Sequence, residues 1–191
     1  MLNLKRWVAA SFAIFLAGMA ISSALYFSRR PVRFADAVLS NFLSPIDNPS
    51  GYPAAAIGTT LAGFTLLPTC MVFHRRIKSV AATALYAAGL LAAILIAGLS
   101  PFPDIDFSVH LALAYGAFMS LQLGISIYLA VAAYRSKSRR LTAWAATEWI
   151  IGVILFSLSF GPDWTGSTAF CEWGLCATIA SGLWVLTSWC S

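Results

Sequence analysis

The chain confines its charges to short gaps between long uncharged runs, and this pattern limits its possible folds more than any other feature. Charged residues make up 10% of the 191-residue sequence, against 60% hydrophobic. A helix rising ~1.5 Å per residue needs about 20 residues to cross a hydrocarbon core ~30 Å thick. Runs near residues 7–28, 53–73, 80–100, 108–134, 142–160 and 171–190 meet that length. The fourth is longer than a bilayer requires, so it must tilt or project. Barrel strands would instead alternate in polarity over ~10 residues, a pattern missing here, which leaves helices as the way to satisfy backbone polar groups in lipid. The sequence therefore predicts an all-α, polytopic transmembrane bundle of six spans, with residues 1–191 forming a single domain. Lys5 and Arg6 precede the first run as they would in a secretory signal. Its apolar part, Trp7 to Phe27, exceeds the ~7–15-residue core of such signals and predicts a retained helix.

The formal net charge of +5 reads as a topology signal rather than as an affinity for nucleic acid. Lys5 and Arg6 precede the first run. Arg75, Arg76 and Lys78 separate the second from the third, and Arg135, Lys137, Arg139 and Arg140 separate the fourth from the fifth. These segments alternate to one side, so the positive-inside bias places them and both termini in the cytoplasm, in a plasma or bacterial inner membrane. Arg29, Arg30 and Arg33 dissent, falling in the first outer loop, where they could hold an anionic headgroup. Cys171 and Cys176 are five apart, about 140° around a helix, so a bridge between them would require that segment to be unwound.

The outer loops carry the irregular chemistry. In the first of them, Val32, Ala35, Leu39 and Phe42 share a helical face, which predicts a short amphipathic helix over 31–42 lying on the membrane surface. A run of turns from Ser44 to Pro53 follows, with Pro53 opening the second span. Asp36, Asp47, Asp104, Asp106, Asp163 and Glu172 all fall on the outer side, and His110 joins them where the fourth span begins. Asp106 and His110 are four apart, so on one helix face the carboxylate could orient the imidazole as a base or ligand. Asp47, Asn48, Asp104, Asp163 and Glu172 are its candidate neighbours. Capping and avoidance of the positive-inside penalty are the simpler account of the same acidic residues. A zinc site normally takes three protein ligands, and a single outer histidine offers few of them, so no cofactor or metal is predicted.

Within the spans, Glu148 lies about two turns into the fifth, within expected reach of interfacial water or of Arg139 and Arg140. Gln122, in mid-span, suits an interhelical hydrogen bond. No paired metal-binding histidines, nucleophile elbow, phosphate loop or Cys-x-x-Cys occurs. The sequence thus assigns no reaction and does not decide whether the chain is an enzyme.

Leu39-Ser40-Asn41, then Asp47-Asn48-Pro49-Ser50-Gly51-Tyr52-Pro53, Gly58 and Gly63, resemble the loop-one signature of the Frag/DRAM/Sfk-type membrane proteins and their prokaryotic relatives. Phe102-Pro103 followed by His110 is similar to a second element of that family, and the likeness covers roughly residues 35–130. It implies six spans, a role around lipids, and interest in Ser40, Asn48, Pro49 and His110. The reading that follows is a lipid-related membrane protein with an outer polar site: His110 with Asp106 at its chemistry, Ser40, Asp47, Asn48, Asp104, Asp163, Glu172 and Arg33 binding a headgroup. A non-catalytic subunit of a larger membrane complex is the alternative. A small transporter resting on Glu148 and Gln122 is the third reading.

Overall fold

The computed structural model describes residues 4–33, 38–99, 107–159 and 167–190. Among these the chain forms α1 (Leu4–Phe27), α2 (Leu39–Leu43), α3 (Tyr52–Ile77), α4 (Val80–Leu99), α5 (Phe107–Ser136), α6 (Arg139–Ser159) and α7 (Ser167–Cys190), with no strand. All but the five-residue α2 are long and apolar enough to cross a membrane. The long fourth run becomes the 30-residue α5, whose apolar stretch is Ala112–Ser136.

Helices adjacent in sequence pack side by side, and α7 returns against α5 and α1 to close the bundle. The six long helices give the molecule two ends. At the basic end, Val8, Phe73, Ile77, Tyr86, Tyr128 and Leu186 share one core cluster, and Phe73, Tyr86 and Tyr128 meet in tilted or edge-on pairs 5.5–6.2 Å apart. At the other end, Met19, Tyr26, Phe42, Ala55 and Ala97 form a second cluster around α2. Small residues bring the backbones together, supplying dispersion where lipid leaves no hydrophobic drive between helices. Gly18 of α1 and Gly58 of α3 cross so closely that a Cβ on Gly18 would lie 2.6 Å from the Ala54 carbonyl oxygen. Gly124 of α5 similarly abuts the backbone of Tyr86. Sharp turns link α3 to α4 and α5 to α6 through Lys78 and Lys137, at φ 52° and 51°.

The surface helix expected over 31–42 takes another form. Residues 31–33 are not helical, 34–37 lie outside the described residues, and the helix is Leu39–Leu43. It is buried: Phe42 is 1% exposed, while Val32, expected on the same apolar face, is 80% exposed. Specific contacts draw α2 inward. The Phe42 ring packs edge-on against Tyr26 at 5.7 Å, the Ser22 hydroxyl donates to the Phe42 carbonyl at 2.8 Å, and the Leu39 N–H donates to Glu172 Oε2 at 2.7 Å. That last bond satisfies an N–H that a helix start leaves without a partner.

Candidate functional site

The packing of α1, α3, α4, α5 and α7 leaves a cavity of about 150 Å³ between them, with Leu39 and Leu43 of α2 also in its lining. Its walls are apolar: Phe12, Phe15 and Met19 from α1, Leu66 from α3, Leu90 from α4, Ala117 and Leu121 from α5, Ile179 and Leu183 from α7. The lining runs from His110 to Leu121 along α5 and from Glu172 to Leu183 along α7. Eleven residues of helix rise make that about 16 Å. This is half the ~30 Å hydrocarbon thickness of a bilayer, the depth of one leaflet.

Polar side chains gather at the α2 end, where Ser40, His110 and Glu172 line the cavity. Glu172 Oε2 accepts the Leu39 N–H, and Oε1 has no bond among the described residues. The side chains of Ser40 and His110 likewise make no hydrogen bond among the described residues. Deeper in, Ser11 is already satisfied: its hydroxyl donates to the Trp7 carbonyl at 3.1 Å and pairs with Thr65 Oγ1 at 2.7 Å. Thr59 contributes to the wall, its own Oγ1 buried without a partner among the described residues. Among the described residues no lysine or arginine lines the cavity.

Other residues singled out in the sequence lie elsewhere. Asp104, Asp106 and Asp163 fall outside the described residues, as does Asp36, so the Asp106–His110 pairing does too. Asp47 closes a turn, its Oδ2 accepting the Ser44 hydroxyl at 2.9 Å and its N–H donating to Ser44 Oγ at 3.0 Å. Asn48 is 2% exposed and ties the loop to α1: Nδ2 donates to the Ser22 carbonyl and hydroxyl at 3.1 and 2.8 Å, while Oδ1 accepts the Gly51 N–H at 3.2 Å. Arg33 is exposed and is not part of the cavity lining. Arg30 stacks over Tyr26 and donates to the Tyr26 hydroxyl at 2.8 Å and the Asp47 carbonyl at 3.1 Å, which fixes the loop. All four cysteines are free thiols. Among the described residues no three His, Cys, Asp or Glu side chains group as a metal ion would require.

Glu148 departs from its expected surroundings. Instead of reaching interfacial water or Arg139 and Arg140, it is 2% exposed and turned toward α5 and α7. The Gln122 amide donates to the Glu148 carbonyl at 2.8 Å and to Oε2 at 2.9 Å, and the Ser181 hydroxyl donates to Oε1 at 3.0 Å. Thr178 Oγ1 completes the set, donating to Gln122 Oε1 at 3.1 Å. Gly152 and Gly182 leave just enough room, since a Cβ on either would come within 2.7 Å of Gln122 or Glu148. The network is closed and satisfied, so it clamps α5, α6 and α7 together. Thr178 and Ser181 show in the sequence only as polar residues three apart on the last span.

No family model, curated protein or solved structure matches this chain, so its own residues carry the functional argument.

Proposed function

We propose that this protein is an integral membrane protein that holds the hydrocarbon chain of a lipid in the cavity between α1, α3, α4, α5 and α7, with the polar part of the lipid at Ser40, His110 and Glu172. The observation that carries this reading is the cavity itself: one leaflet deep, apolar along its length and polar at one end. A cavity of that kind suits an amphiphile, because its apolar walls take the chain while the polar end keeps hydrogen-bonding partners. The exposed apolar side chains of α6, among them Ile150 and Ile154, suit contact with surrounding lipid. The basic end of the bundle then faces the cytoplasm, and α2 with the polar end of the cavity lies toward the opposite leaflet. The resemblance of residues 35–130 to the Frag/DRAM/Sfk-type proteins points toward lipids as well.

Lipid analysis by native mass spectrometry of protein extracted gently from its membrane tests the reading. Wild type is expected to retain one chain-bearing lipid per molecule. Ala117→Phe, which fills the slot from α5, is expected to lose it while remaining folded. Equal retention by both would refute the proposal.

A further inference from the structure

If the slot holds a lipid chain, its polar end also selects the headgroup, and that selection is legible from the side chains present. We infer that the ligand is a single-chain amphiphile with an uncharged, hydroxyl-bearing headgroup. This rests on the lipid reading above and deepens it.

Two features restrict the apolar part. The volume of about 150 Å³ accommodates on the order of ten water-sized groups in a slot ~16 Å long. That space suits one short apolar chain better than two.

The headgroup follows from what faces it. Ser40 supplies a hydroxyl that both donates and accepts. An uncharged His110 ring supplies one donor and one acceptor, and Glu172 Oε1 accepts when the carboxyl is ionised and donates when it is protonated. A hydroxyl is the simplest group that answers all three, because it can donate to the carboxylate while accepting from Ser40 or the imidazole. A phosphate or carboxylate headgroup finds no such match. An ionised headgroup in this apolar setting would need a cation beside it, and among the described residues no Lys or Arg lines the cavity. Arg30 does not line the cavity and is held by Tyr26 and the Asp47 carbonyl. Glu172 is itself anchored, since its Oε2 fixes the first N–H of α2. Selectivity therefore depends on the same residue that keeps α2 over the cavity.

The test uses the full-length protein in detergent micelles and three probes with the same saturated chain: a monoacylglycerol, a lysophosphatidic acid and a primary alkylamine. Affinities are read by competition against a fluorescent monoacylglycerol. The monoacylglycerol is expected to bind at least tenfold more tightly than the lysophosphatidic acid. Glu172→Gln, which keeps an acceptor for the Leu39 N–H, is expected to reduce that discrimination to threefold or less. Equal or tighter binding of the lysophosphatidic acid by wild type would overturn the headgroup inference. So would strongest binding of the amine that disappears in Glu172→Gln, since that identifies a cationic ligand. In both cases competition that Ala117→Phe abolishes would leave the slot reading standing. Binding unaffected by Ala117→Phe would remove both.

Discussion

Replacing Gly18 with alanine probes the closest contact in the bundle. The added Cβ would lie 2.6 Å from the Ala54 carbonyl oxygen and 2.9 Å from Gly58 Cα, where ordinary contact begins at 3.4 Å. Both obstacles are backbone, so neither can rotate aside, and α1 must move from α3 by about 0.8 Å at this point. A gap of ~0.5–1 Å forfeits a quarter to a half of each dispersion well of ~0.1–0.2 kcal/mol. Over a few dozen atom pairs along the crossing this loses about 1–3 kcal/mol, the usual range for overpacking. Gly58→Ala meets Gly18 Cα at 2.9 Å and the Ile14 carbonyl oxygen at 3.1 Å, a milder conflict that should cost less. Gly116→Ala provides the control, since nothing lies within 4 Å of its Cβ and alanine favours a helix by up to ~1 kcal/mol. Equilibrium unfolding in mixed micelles by titration with sodium dodecyl sulfate would measure all three. The expected order of stability is Gly116→Ala, then Gly58→Ala, then Gly18→Ala. A Gly18→Ala protein as stable as Gly116→Ala would refute close glycine packing as the basis of the α1–α3 contact.

Gln122→Leu removes three hydrogen bonds from the Glu148 network at little change in volume, and interhelical bonds in membranes average ~0.6 kcal/mol and reach ~1.7. It should destabilise the bundle by about 2–4 kcal/mol in the same micelle assay, and faster hydrogen exchange should appear at the α6–α7 contact. Asn48→Ala removes the two bonds that tie this loop to Ser22 of α1 and should cost about 2 kcal/mol, read as earlier proteolysis between α1 and α3. Lys78→Gly relieves a left-handed backbone that costs an ordinary residue ~1 kcal/mol, so it should raise the unfolding midpoint.

The six long helices were legible because an uncharged run of about 20 residues bounded by charges is a purely local pattern. Each helix appears within a few residues of the run that predicts it, and the longest run became the longest helix. Residues whose roles depend on rotation about a helix axis or on distant partners were harder to read. Glu148 sits near enough to Arg139 in sequence to suggest an interfacial pair, yet the crossing of α6 with α5 and α7 determines that it faces Gln122 and Ser181. The short amphipathic pattern in 31–42 carried no information about Glu172, more than a hundred residues away, which holds the start of α2. Ser40, His110 and Glu172 drew attention as polar residues beside spans. The cavity that brings them together is a product of five packed helices and has no local signature. Thr59 was overlooked, although the pair Thr59-Thr60 in an apolar run was a visible signal.

Photo-crosslinking tests the central claim most directly. A monoacyl lipid carrying a diazirine near the end of its chain would be added to the protein in micelles, illuminated, and the labelled residues mapped by mass spectrometry. The account predicts labelling deep in the slot, at Leu66, Leu121 and Leu183, and its loss in Ala117→Phe. Labelling confined to outward-facing residues such as Ile150 and Ile154 of α6, unchanged by Ala117→Phe, would show that lipid only surrounds the bundle and would contradict the account.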